Sequence, residues 1–318
     1  MSAEAADTGA ILPQRGGLSG RLSDLFWKRP GLLVFLMLTP PVLWLGIVYL
    51  GSLFTLLIQS FYSLDEFSGL VIPEFTFKTY AELLRPSNFD IIMRTVVMAA
   101  LVTLASAIIA FPIAYMAARY ARGKWKALFY LGVMLPLWSS YLVKVYAWKL
   151  ILAKEGILTW LFEVLHITPI LDAILAIPVI GGNSLSVSYI GTFLVFVYVW
   201  MPYMILPTQA ALERVPINLT DASSDLGGNP WQTFRHVIFP LALPGIIAGS
   251  IFTFSLTLGD YIIPQIVGSS RLFIGQAVYT QQGTAGNIPL AAAFTVVPIV
   301  IMGFYLWMAK RQGAFDAL

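Results

Sequence analysis

The sequence predicts an all-α membrane protein with six transmembrane helices. Three observations carry that expectation. The first is composition: of 318 residues, 58% are hydrophobic and 11% charged, and mean hydropathy is +0.80. A soluble chain of this size needs more charge to cover its surface. The second is a set of six apolar stretches, each near the roughly 20 residues that a helix needs to cross the hydrocarbon core. The third is the placement of the basic residues, which gather in alternate loops.

Taken in order, Met1 to Pro30 is polar and Gly-rich and reads as a disordered tail. The apolar run after it is too long for a signal-peptide core, and no small-residue cleavage site follows, so a cleaved leader is not expected. Gly31 to Ile58 carries no charge and forms the first span, with Pro40-Pro41 expected to kink it. Thr95 to Ala118 is the second span. Ala127 to about Leu152 is the third, interrupted by Lys144 and Lys149. Ser188 to Leu212 is the fourth, Leu241 to Ile263 the fifth, with Asp260 near one end, and Ile288 to Ala309 the sixth. The outer loops have room for short interfacial helices such as Ile157 to Leu165, and Trp148, Trp160 and Tyr189 suit the headgroup belt. Residues 31–310 are expected to form one transmembrane body, with 311–318 as a short C-terminal tail.

Charge placement orients the spans. The N-terminal tail has Arg15, Arg21, Lys28 and Arg29, the loop between spans two and three has Arg119, Arg122, Lys124 and Lys126, and the C-terminus has Lys310 and Arg311. With six spans these fall on one side, which the positive-inside rule makes the cytoplasm. The 60–93 loop, with Asp65, Glu66, Glu74, Glu82 and Asp90, faces the other way. The expected location is a bacterial inner membrane, with both termini and the 213–240 segment cytoplasmic.

Several function classes drop out. There is no cysteine, which removes disulfides, thiolate metal sites and thiol catalysis, and His166 and His236 are too few for a histidine metal cluster. No catalytic, metal or cofactor residue is expected. No phosphate-binding loop is present: Gly123-Lys124 is followed by Trp125, and Ala118 stands where the leading glycine belongs. No internal repeat is visible, which weakens a secondary transporter driven by an ion gradient but leaves it as the alternative of another class. Nothing points to nucleic acid.

The segment from Asp221 to Ile246 carries the most specific turn chemistry. Pro216 suits the first position of a short helix, and Gly227-Gly228 suits its end, because glycine takes the left-handed conformation without strain. Asn229 can cap a second helix with Pro230 at its first position, and Gln232 completes a capping box. Pro240 and Pro244 mark the return to the membrane. On the first helix Leu219, Ala222 and Leu226 form an apolar stripe with a small centre. Such a stripe suits a partner's groove, or equally its own bundle; periodicity does not separate the two.

This segment resembles the Glu-Ala-Ala loop of permease subunits from ATP-driven (ABC) importers, whose pattern continues with a glycine and then Ile-x-Leu-Pro. Asp221 stands for the Glu, Ala222 matches, Ser223 stands for the second Ala, Gly227 and Pro240 match in register, and Val237 and Phe239 are conservative replacements. Pro244-Gly245-Ile246 matches the usual continuation. The resemblance implies the type I ABC importer permease (MetI-like) fold, with a cytoplasmic coupling helix docking on an ATPase, and an ATPase-coupling loop made of Asp221, Ala222, Ser223, Asp225, Leu226, Gly227, Pro240, Pro244 and Gly245. It implies as partners a second homologous permease, two ATPases that hold the ATP and magnesium, and a periplasmic or lipid-anchored solute-binding protein, all assembled in membrane lipid.

The resemblance covers roughly residues 30–310. Residues 135–149 look like the third-span region of spermidine/putrescine permeases, and Leu258-Gly259-Asp260-Tyr261-Ile262-Ile263-Pro264 looks like their fifth-span end. Asn287-Ile288-Pro289 stands where those permeases have Asp-Trp-Pro. Opine, aminophosphonate, thiamine and ferric iron importers share the subfamily and are the alternatives. Asp260 is the candidate solute-path residue, with Tyr261, Trp138, Tyr141 and Tyr146 as aromatic partners for an ammonium through charge and cation–π attraction. The plainer expectation for Asp260 is hydration at the outer interface or a pair with Lys144, and for Lys144 a snorkel to the headgroups.

Overall fold

A computed structural model describes residues 27–65 and 67–311. The expected tails, 1–30 and 311–318, lie almost wholly outside the described residues. The chain divides into two compact units, with the boundary between Leu56 and Leu57.

The first unit holds α1 (Pro30–Trp44), a π-helical stretch at Leu45–Leu50 and the start of α2 (Gly51–Gln59). These form one helical run, Gly31–Gln59, and Pro40 and Pro41 lie inside it without ending it. Its side chains are largely exposed, as suits an apolar helix in lipid.

The second unit opens with a short antiparallel hairpin, β1 (Ser63–Leu64) on β2 (Val71–Ile72), and the small helix α3 (Lys78–Leu83). The span α4 (Pro86–Arg119) starts a full two turns before the expected Thr95, because Pro86 occupies a first-turn position where its missing N–H is harmless. The third span is a correction. It is two helices, α5 (Lys124–Trp138) and α6 (Tyr141–Ile151), bent by 96° at Ser139-Ser140. Pro136 weakens the last turn of α5, and both serines are extended, with ψ of 149° and 130°.

The outer connection carries α7 (Ile157–Val164) and α8 (Thr168–Leu175) before the span α9 (Tyr189–Arg214), whose Ser188 hydroxyl caps the Gly191 N–H at 3.0 Å. After the loop helices α10 (Ile217–Asp225) and α11 (Pro230–Thr233), a π-helical stretch at Phe234–Ile238 runs into the span α12 (Phe239–Gly259). The ladder slips to the wider spacing just before Pro240, whose nitrogen cannot donate to His236. The fifth span is therefore continuous from Pro230 to Gly259, longer at its start than the expected Leu241. Short helices α13 (Ile262–Ile266) and α14 (Ile274–Gly283) precede the last span, α15 (Ile288–Arg311).

The helices α4, α9 and α12 form the heart of the bundle. Lipid gives no hydrophobic drive between helices, so close packing of small side chains has to hold them. Ala99, Ala110 and Ala114 of α4 are fully buried, as is Ala293 of α15. On α12 the backbone at Gly245 lies so near α9 that a Cβ there would meet the Pro207 carbonyl at 2.5 Å.

Candidate functional site

Two regions hold the residues singled out from the sequence. The first is the loop between α9 and α12. Pro216 is the residue before α10 rather than its first helical position. The helix ends where Gly227 takes φ +77°, and the N–H groups of Gly227 and Gly228 return to the carbonyls of Ser224 and Ser223, each at 2.9 Å. Asn229 and Gln232 complete the capping box, with both reciprocal bonds at 2.9 Å. A hydroxyl bond of 2.8 Å between Ser223 and Thr233 ties the two loop helices together.

The inner side of this loop is anchored to the bundle. Ile238 is buried with Ala114, Leu212 and Ala242, and the Phe234 ring meets Phe111 of α4 edge-on at 5.5 Å. Its outer side is bare. Leu226 is 89% exposed, Trp231 65% and Leu219 43%, and Ala222 and Asp225 are exposed too, whereas Asp221 is exposed on the side of α10 toward Arg119. The stripe does not pack on its own bundle. Pro240 stands in the first turn of α12, and Pro244 and Gly245 face α9, so these three shape the span rather than the bare face. A polar knot braces the loop's approach: Glu213, at the end of α9, accepts from Lys126 at 3.0 Å, Gln209 at 3.0 Å and Tyr130 at 3.1 Å.

The second region lies at the other end of α12. Asp260 ends that helix. One carboxylate oxygen accepts the N–H groups of Ile262 and Ile263 at 2.7 and 3.1 Å, and the other accepts the Tyr141 hydroxyl. The carboxylate is neither simply hydrated nor paired with Lys144. The Lys144 ammonium instead donates to the Pro136 carbonyl at 2.6 Å, satisfying the broken end of α5, which also corrects the snorkelling expectation.

A cavity of about 350 Å³ opens beside Asp260, with Tyr141, Trp200 and Tyr261 on its walls. Trp138 and Tyr146 do not line it; they are 73% and 54% exposed on other faces. Sequence reasoning missed Trp200, which stacks on Tyr141 with ring centroids 5.8 Å apart. Its signal was slight: a tryptophan deep inside an apolar span, where an indole N–H is costly to bury. Tyr261 stacks on Tyr279 at 5.3 Å. Among the described residues no group of histidine, aspartate and glutamate could hold a metal ion.

Residues 110–313 match the family described as binding-protein-dependent transport system inner membrane component. The chain is 58% identical to the inner membrane ABC transporter permease protein YdcU of Escherichia coli K12, over 96% of this chain and 97% of the relative. It is 29% identical to the spermidine/putrescine transport system permease protein PotB of Salmonella typhimurium SL1344, over 79% and 85%. Among solved structures it superposes on a bacterial alginate ABC transporter in complex with an alginate pentasaccharide-bound periplasmic protein, with TM-score 0.66 and 14% identity over 92% of this chain and 97% of that one. That likeness shows the fold, the ABC importer permease fold expected from the loop. The relatives are permeases, not enzymes. The chain belongs to the binding-protein-dependent transport system inner membrane component family and is a permease subunit of an ABC importer.

Proposed function

We propose that α10 is the docking element of this permease. It seats in a groove of a separate ATPase, which supplies ATP and magnesium, and two such ATPases closing on each other move the spans between inward-facing and outward-facing arrangements. The observation that carries this reading is the bare apolar face of Leu219, Ala222, Leu226 and Trp231 on a loop whose opposite side is anchored. A rigid helix with an exposed apolar stripe fits a partner's groove. On this reading the loop and both termini are cytoplasmic, supported by the basic residues of the 119–126 loop and of 310–311. A second permease completes the path, and an outer binding protein delivers solute; the alginate transporter's complex with an alginate pentasaccharide-bound periplasmic protein supports this.

The solute on this reading is a polyamine of the spermidine/putrescine class. The named relative PotB supports it, as does a carboxylate beside an aromatic cavity. Opines, aminophosphonates, thiamine and iron remain the competing solutes of the same importer class. Two measurements test the reading. The intact complex, purified from membranes, should retain an ATPase, and Gly227→Pro should abolish its coupling to uptake at normal expression; normal uptake by that variant sinks the docking role. Cells bearing the whole transporter should accumulate labelled putrescine or spermidine; failure to do so, with an active ATPase, removes the polyamine assignment and leaves docking intact.

A further inference from the structure

Between the end of α4 and the inner wall of α10 lies a second cavity, of about 410 Å³. Arg119 enters it from the last turn of α4. Its Nε and Nη2 are buried and have no hydrogen-bond partner among the described residues. Asp221 enters from α10, and it is the one carboxylate among the lining residues, as Arg119 is the one cation. The hydroxyls on the α10 wall donate to their own helix, Thr220 to the Ile217 carbonyl at 2.5 Å and Ser224 to the Thr220 carbonyl at 3.1 Å, and neither carries a charge to match a guanidinium. Arg119 is half-buried, and two of its guanidinium nitrogens are out of reach of water without an acceptor, which is unfavourable; a carboxylate acceptor stands across the same space.

From this geometry we propose that Arg119 and Asp221 form an ion pair in the other transport state, tying the end of α4 to the docking helix. The inference rests on the docking reading and deepens it: Asp221 lies across α10 from the apolar stripe and faces its own bundle. When a partner pushes α10 toward α4, the cavity narrows and the carboxylate reaches the guanidinium. The pair acts as a positioning contact. It transmits the displacement of α10 to a span whose other end carries the outer loops. The arginine fork suits this duty, because a two-point grip fixes direction as well as distance.

The test uses the complete transporter. The native chain has no cysteine and is its own background. In membranes, R119C/D221C is treated with a bifunctional thiol reagent of Arg–Asp side-chain reach, nucleotide-free and trapped with ATP and vanadate, and the linked peptides are quantified by mass spectrometry. Linkage should differ between the two conditions by roughly fivefold or more, the ratio that a coupling near 1 kcal/mol produces. In parallel, R119D and D221R should each depress ATP hydrolysis stimulated by the binding protein, and R119D/D221R should restore most of it. Equal linkage in both conditions, or a swap no better than its worse single variant, overturns the pair. Loss of the ATPase from the unaltered chain overturns docking and this inference together. An ATPase retained without rescue by the swap overturns the pair alone.

Discussion

The 215–238 loop and the Asp260 region differ in where their bonding capacity goes. In the loop, the turn at Gly227-Gly228 and the capping box at Asn229 are satisfied internally, yet the apolar face of α10 and Trp231 is left bare. At Asp260 the reverse holds. The group that looks most functional in the sequence spends its oxygens on its own chain, holding the start of α13 and the hydroxyl of Tyr141. The difference teaches that unspent contact, rather than unusual chemistry, marks a surface meant for something else. A carboxylate at membrane depth can be structural when local donors surround it, as the cost of burying it demands.

The contrast yields a series of tests, from the largest expected effect down. Gly227→Pro forces φ from +77° to the prolyl value near −65°, and it should break the α10 turn and abolish ATP-coupled uptake in reconstituted vesicles. Leu226→Glu should reduce ATPase retention roughly tenfold or more in co-purification, while the melting temperature of the permease stays put. A large drop in melting temperature instead would mean the face is part of the fold. Asp260→Ala should do the opposite, lowering stability by about 2–3 kcal/mol in thermal denaturation, since two N–H groups and a hydroxyl lose their acceptor. ATPase retention should be unaffected there. Tyr141→Phe should cost about 1 kcal/mol by the same measurement. Ser223→Ala, which brings the loop closer to the family's Glu-Ala-Ala, should cost less than about 1 kcal/mol through the lost Thr233 bond, with coupling intact.

What could be read from the sequence was local. Gly227, Asn229 and Gln232 lie within a few residues of the groups they bond, so the turn and the box follow from chemistry at short range. The exposure of Leu226 was not legible, because periodicity says that a stripe exists and not whether the bundle has room for it. The 96° bend was hidden for a related reason: hydropathy averages over Ser139-Ser140 and carries no direction. Pairing Tyr141 with Trp200 required knowing which spans are neighbours. That Tyr146 stands off the Asp260 cavity follows from helix geometry. Five residues along a helix turn by about 140° beyond a full circle, so Tyr141 and Tyr146 point apart. Trp138 stands off the cavity for another reason: it ends α5 at the bend and takes no orientation from α6.

The bend itself has a reach that its length conceals. Tyr141 is the first residue of α6, so the elbow at 139–140 decides where its hydroxyl stands. The Lys144 ammonium, one turn later, reaches back across the corner to the Pro136 carbonyl and acts as a strut. Elbow and strut together make a bracket, and the carboxylate more than a hundred residues downstream hangs from it. Straightening that corner would release the far end of α12 without touching α12 at all.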